Sequence, residues 1–168
     1  LGAIAEHMSR VFSSLGMTVY GISRTERAVE GIDKIFSRDN MAEAVADVDF
    51  LVVLLPFSPE TEKIVGAETF AAMKPSACLI NVARGGVVDE AALIEALNSG
   101  AIAGAGLDVY EKDPLPTESP LWDMENVFMT PFIGGRSDLY AERILTVIEP
   151  NLRAYLDGNL DKMINIVD

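Results

Sequence analysis

Asn81-Val82-Ala83-Arg84-Gly85-Gly86-Val87-Val88-Asp89 is the stretch on which the fold turns. The apolar run Cys78-Leu79-Ile80 before it has the length and bulk of a buried strand. After it, Asp89-Glu90 opens a helical pattern, with Asp89 placed to cap the first turn. A strand that ends in an arginine and two glycines and then becomes a helix presents that arginine at the carboxyl edge of a sheet. In open parallel sheets this edge is where ligands bind. Loops of this kind hold an anion or a dinucleotide, which makes Arg84 the residue to explain.

Outward from this stretch, strands and helices alternate. Ile4, Met8, Val11, Phe12 and Leu15 lie on one face of a first helix that Gly16 stops. Met17 to Ile22 reads as a strand, with Ser23-Arg24-Thr25-Glu26-Arg27 as the loop beyond it. Lys34-Ile35-Phe36 is a short strand, and Arg38-Asp39-Asn40 leads into a brief helix through Ala46. Phe50 to Leu55 is apolar on both faces, the mark of a central parallel strand, and Pro56 ends it. A short helix is expected from Ala67 to Met73 and another from Glu90 to Asn98, closed by Ser99-Gly100. The strand from Ala101 to Val109 is rich in Ala and Gly, so something packs closely against it. Asn126 to Met129 and a long helix from Ser137 to Leu156 complete the pattern, with Pro150 expected to kink that helix or remove a hydrogen bond.

This order implies an α/β protein with a doubly wound, mostly parallel sheet of the Rossmann type. Residues 1–158 are read as one dinucleotide-binding domain and 159–168 as a tail. A helix opening at Ala3 behind a glycine should follow the first strand of a βαβ unit, and that strand is expected to be missing.

The 168 residues are 49% hydrophobic and 23% charged, enough for one domain with a real core. A net charge of −13 argues against nucleic acid, whose phosphates need clustered Lys and Arg, and against an acidic membrane surface. No apolar run reaches the roughly 18 residues of a membrane span. The one cysteine, Cys78, allows no internal disulfide, and no Cys/His cluster points to a metal. A reducing, cytoplasmic setting is expected.

Four motifs carry chemistry. Gly2-Ala3-Ile4-Ala5 fits the latter part of G-x-G-x-x-G/A, where a pyrophosphate sits on a helix N-terminus; the plain alternative is any helix with a glycine near its start. The second strand ends in Ile22-Ser23-Arg24-Thr25 with no acid at its tip, so a ribose 2′-phosphate, and hence NADP rather than NAD, is favoured there. The alternative is a solvated loop arginine. Arg84 is suited to clamp a carboxylate and polarise a carbonyl, or else to form a structural ion pair. Asp108, at the end of Gly104-Ala105-Gly106-Leu107, is a partner for a nicotinamide amide or a loop cap.

Taken together, Gly-x-x-Ala, Asn81 to Asp89, Gly106-Leu107-Asp108-Val109-Tyr110-Glu111-Lys112-Asp113-Pro114-Leu115-Pro116, Ser119-Pro120-Leu121-Trp122 and Asn126 to Pro131 resemble the cofactor domain of the D-isomer-specific 2-hydroxyacid dehydrogenases. The Ser23-Arg24-Thr25 tip is similar to the NADPH-using glyoxylate/hydroxypyruvate reductase branch. The resemblance implies a small 2-keto acid substrate, a homodimer and a second domain, mostly absent here, that completes the site.

It also implies an Arg, an acid and a His as catalytic residues. The arginine matches Arg84. The acid falls on Asp113, one methylene shorter than the family's glutamate, and Glu111 is close by but out of place in the motif. The histidine's position, after Thr130-Pro131, holds Phe132, and the only histidine of the chain, His7, reads as a helix-surface residue. Further cofactor positions implied are Gly2, Ala3, Ile4, Ser23, Arg24, Thr25, Leu55, Pro56, Val82, Ala83, Arg84, Asp108 and Gly134. Loss of the histidine keeps two other readings open: a dinucleotide-binding or sensing module without catalysis, and an inactive fragment.

Overall fold

The computed structural model describes residues 1–25 and 27–166. The chain divides into two compact units, Leu1–Phe132 and Ile133–Asp168. The first holds α1 (Ala3–Ser14), β1 (Tyr20–Ser23), β2 (Lys34–Ser37), α2 (Met41–Val45), β3 (Phe50–Val53), α3 (Ala67–Ala72), β4 (Cys78–Asn81), α4 (Glu90–Ser99), β5 (Gly104–Leu107) and β6 (Val127–Met129). The second is built on α5 (Tyr140–Leu156).

All pairings between named strands are parallel, and they form two sheets. β1 pairs with β2, and β3-β4-β5-β6 lie side by side in that order. Parallel strands need crossovers, and α3 and α4 supply them between β3, β4 and β5. The break between the two sheets falls where the first strand stands in the doubly wound order 3-2-1-4-5-6. Because of it, β3 is not the central strand its sequence implied. Among the described residues it is hydrogen-bonded to β4 alone, and Phe50 is 51% exposed.

The core lies on the four-stranded sheet, where Val53, Leu79, Ala105 and Leu107 meet Phe70, Leu93, Leu97, Ile102 and Leu121. Helix α4 follows its local signals closely. The Asp89 carboxylate accepts the Ala92 N–H at 3.2 Å, and Gly100 closes the helix in the left-handed conformation with φ of 72°. The close packing expected at the glycine-rich strand is real. A Cβ on Gly104 would stand 2.8 Å from the Asn126 carbonyl oxygen.

Helix α1 departs from its pattern. Ile4, Val11 and Leu15 are exposed, and the residue it buries most deeply is Ser9, at 2%. The reason is a close approach: the Ser9 hydroxyl donates to the carbonyls of Glu6 and Glu30 at 3.0 Å each. A Cβ on Gly31 would stand 2.8 Å from the Ser9 backbone. His7 is exposed, as expected.

In the second unit Pro150 sits within α5 and leaves one backbone position without a donor. The Asn151 side chain ties this helix to the following turn, donating to the Ile164 carbonyl at 2.9 Å and accepting its N–H at 2.8 Å. Ala154 is its one buried residue, whereas Tyr140, Leu145, Ile148, Leu152, Tyr155 and Leu156 are exposed.

Candidate active site and dinucleotide edge

The loop after β4 is set by Asn81, which is 1% exposed. Its Oδ1 accepts the Ala83 N–H at 3.1 Å and its Nδ2 donates to the Arg84 carbonyl at 3.3 Å. One side chain thus closes the turn and fixes the backbone on both sides of Val82 and Ala83. Val82 is exposed and Ala83 buried. Gly85 then runs against the neighbouring loop so tightly that a Cβ would stand 1.8 Å from the Tyr110 carbonyl oxygen. The Arg84 side chain is exposed, its Nη1 donates to the Ala83 carbonyl at 2.7 Å, and it forms no ion pair among the described residues. Its guanidinium is therefore presented to solvent at the carboxyl edge and is not consumed by a structural carboxylate.

The loop after β5 is pinned from below. Asp108 is 5% exposed and accepts the Thr130 hydroxyl, while its backbone N–H donates to the Asn81 carbonyl at 3.0 Å. The Tyr110 hydroxyl donates to the Thr130 carbonyl at 2.9 Å. Burial, reinforced by the charges of Asp108, Asp113 and Glu90, pushes the Tyr110 phenol above its ordinary value. These bonds make Asp108 a peg for the segment that leads to Phe132.

Phe132 donates its backbone N–H to the Asp108 carbonyl at 3.1 Å and has φ of 54°. The left-handed region is unusual for a bulky side chain. The ring is 52% exposed, and its centroid is 5.6 Å from the guanidinium carbon of Arg84, a cation–π contact. The structure therefore brings the Arg84 guanidinium and the Phe132 ring together at the carboxyl edge.

The carboxylates divide. Asp113 is exposed and joins no hydrogen bond or ion pair among the described residues. Glu111 is engaged elsewhere, 3.2 Å from the Lys63 ammonium, whose pKa is raised by that hydrogen bond and by the charges of Glu111 and Asp89.

At the other end, Gly2 caps α1 without a side chain, and a Cβ placed there would meet nothing within 4 Å. The first N–H groups of a twelve-residue helix thus have no side-chain cap. Ala3 and Ile4 supply that first turn. Ser23 is buried and its oxygen accepts the Thr25 N–H at 3.4 Å, so the tip presents Arg24 and Thr25, both exposed, more than the serine. Leu55 and Pro56 follow β3 at the same edge, and the Pro56 carbonyl accepts the Thr61 hydroxyl at 2.7 Å. Gly134 is exposed and belongs to the second unit.

Three residues that shape the site lay outside the sequence-based set. In the sequence Asn81 reads as the end of a strand, and its signal is a polar residue closing an apolar run. Tyr110 and Thr130 act through a pairing between distant loops and carried no local signal. No group of three or more metal-ligating side chains occurs among the described residues. No helix among the described residues is long and apolar enough to cross a membrane.

Fold and site together define a nucleotide-binding α/β domain with an exposed arginine at its carboxyl edge. The family model described as "D-isomer specific 2-hydroxyacid dehydrogenase, NAD binding domain" matches residues 1–134, and the chain belongs to that family. It is 48% identical over 116 residues to the glyoxylate/hydroxypyruvate reductase B of Pectobacterium carotovorum, covering 69% of this chain and 36% of the relative. A D-isomer specific 2-hydroxyacid dehydrogenase from Xanthobacter autotrophicus, solved with NADPH and MES, is 43% identical with a TM-score of 0.83, over 91% of this chain and 62% of that one. The NADPH-dependent glyoxylate/hydroxypyruvate reductase of Sinorhizobium meliloti, solved with NADP and sulfate, is 34% identical with a TM-score of 0.89, over 100% of this chain and 53% of that one. The chain thus spans 36% of the length of that curated relative and little more than half of the solved ones.

Proposed function

We propose that this chain is the cofactor half of an NADPH-preferring reductase that converts a small 2-keto acid, such as glyoxylate or hydroxypyruvate, into the 2-hydroxy acid. The observation that carries the reading is Arg84, exposed at the carboxyl edge on a loop fixed by Asn81 and Gly85, without a carboxylate of its own. A guanidinium fork there matches a substrate carboxylate and polarises the adjacent keto oxygen. The uncapped turn at Gly2, Ala3 and Ile4 would hold the pyrophosphate, and Arg24 and Thr25 the ribose end. Leu55, Pro56, Val82, Ala83 and Asp108 are the further cofactor positions.

A bound NADPH supplies the hydride. Arg84 stabilises the negative charge that builds on the keto oxygen as the carbon–hydrogen bond forms and the carbonyl double bond opens. That oxygen also needs a proton. Phe132 has none to give, and the Tyr110 proton is held toward the Thr130 carbonyl with a raised pKa. Asp113 is the acid that the family resemblance assigns here, one methylene short, and water or a group from the rest of the enzyme would have to supply the proton.

The working protein is a homodimer in the cytoplasm, and the exposed apolar residues of α5 favour such association. Turnover of glyoxylate or hydroxypyruvate with NADPH by the full-length protein tests the reading, and absence of turnover overturns it. The Phe132 ring over Arg84 favours a second reading, a dinucleotide-binding module without catalysis. Cofactor binding with no turnover of any 2-keto acid would select it.

A further inference from the structure

β1 and β2 are adjacent parallel strands, and their register pairs Ser23 with Ser37 at the carboxyl edge. Each strand is followed at once by an arginine, Arg24 and Arg38. Neighbouring strands are about 4.8 Å apart, so Arg24 and Arg38 follow directly paired positions at one edge of the sheet. The other cations of this region are committed to partners. Arg27 pairs with Glu6, Lys34 with Glu43 at 3.0 Å, and Arg10 with Glu30 at 3.9 Å. Arg24 and Arg38 form no ion pair among the described residues, in a chain whose net charge is −13.

Two like charges placed together repel each other, which costs free energy unless an anion is received between them. One carboxylate already senses both. The pKa of Glu60, an exposed residue, is lowered first by a hydrogen bond from the Ser58 side chain and its own backbone, and then by the charges of Arg24 and Arg38. The charges of both arginines are felt at this one exposed carboxylate, which marks where a stronger anion would go.

We propose that Arg24 and Arg38 together form the clamp that selects the ribose 2′-phosphate of NADPH over the 2′-hydroxyl of NADH, with Glu60 as the carboxylate that the phosphate displaces. The assignment of Arg38 and Glu60 rests on the dinucleotide reading above. A phosphate dianion offers three acceptor oxygens, enough to engage two planar forks at once, whereas a 2′-hydroxyl offers one. Arg24 alone would leave half of that charge unmatched.

The test is the dissociation constants of NADPH and NADH, read by cofactor fluorescence on full-length protein. Proteins compared are wild type, Arg38→Ala, Arg24→Ala and Glu60→Gln. Loss of one charge-assisted bond corresponds to roughly 10- to 100-fold in affinity. Arg38→Ala is expected to weaken NADPH by about tenfold at the least and to leave NADH within about twofold. Glu60→Gln removes a competing charge and should tighten NADPH several-fold without touching NADH, a gain that misfolding cannot imitate. If Arg38→Ala leaves NADPH unchanged while Arg24→Ala weakens it, the clamp is overturned and the dinucleotide site stands. Equal weakening of both cofactors by Arg38→Ala also overturns it, because the role is then structural. Wild-type protein that binds neither cofactor overturns the site as a whole and the clamp with it.

Discussion

The guanidinium carbon of Arg84 lies 5.6 Å from the centroid of the Phe132 ring, while the Phe132 backbone N–H is bonded to the Asp108 carbonyl at 3.1 Å. A single position thus joins three strand ends: the loop after β4 by stacking, the loop after β5 by a hydrogen bond, and the exit from β6 by the chain itself. On the function proposed above, the aromatic face restrains Arg84 where a substrate carboxylate would be met and offers no proton, so binding and proton transfer are separable at this site.

Phe132→His should restore what the ring lacks. The backbone at this position has φ of 54°, a region in which histidine is enriched several-fold and bulky aromatics are outliers, so the substitution is conformationally favourable. General acid–base catalysis contributes typically 10²–10⁴-fold, and a rise in kcat of about 10²-fold is expected. A new limb in the pH–rate profile near the imidazole range should accompany it. Steady-state kinetics with hydroxypyruvate and NADPH across pH 5 to 9 would show it; no gain and no new limb would favour the binding-module reading.

Arg84→Lys keeps the charge but loses the planar fork, so it separates simple attraction from two-point recognition. The expected result is a fall in kcat/KM for the keto acid of about 10²-fold, with thermal stability close to wild type because the side chain is exposed. A lysine enzyme as efficient as wild type would show that no bidentate contact is made.

What the sequence disclosed was what local rules govern. Asp89 and Gly100 bracket α4 through contacts within four residues, and both were readable in advance. The strand-to-helix turn at Arg84 was readable for the same reason. What stayed hidden depends on partners far along the chain. β3 looked central from its apolar faces, yet it has one neighbour. The apolar stripe of α1 suggested a buried face, but the close approach at Gly31 buries Ser9 more deeply than any residue of that stripe. Arg38 passed unnoticed because its relation to Arg24 exists only through the register of Ser23 with Ser37.

Gly85 and Gly100 should respond differently to alanine. At Gly85 the new Cβ would be driven to 1.8 Å from the Tyr110 carbonyl oxygen and 2.0 Å from its carbon, both backbone atoms that cannot swing aside. The two loops that carry Arg84 and Asp113 would have to part. The expected cost is about 3 kcal/mol or more, with loss of activity beyond the loss of stability. At Gly100 the space is open and only the left-handed φ of 72° opposes a side chain, so about 1 kcal/mol is expected with activity retained. Urea denaturation of the two variants measures both, and equal losses would contradict the close approach at Gly85.

Tyr110→Phe probes the link between the β5 loop and Thr130. At neutral pH the variant loses the hydroxyl bond to the Thr130 carbonyl, at a cost of about 1 kcal/mol. The alkaline behaviour gives a sharper test. Burial, and then the negative charges of Asp108, Asp113 and Glu90, hold the folded-state pKa above the ordinary 10.0. A raised folded pKa means that the native state retains its proton more tightly than the unfolded chain. The stability this confers is complete below pH 10 and is lost as pH rises through the folded value. Wild-type protein should therefore lose stability more steeply above about pH 10 than Tyr110→Phe, and the gap between the two should narrow. Urea midpoints at pH 7, 9, 10 and 11 follow that gap, with lysine titration common to both proteins. A gap that stays constant over the series would show that the Tyr110 phenol ionises as freely in the native state as in the unfolded chain.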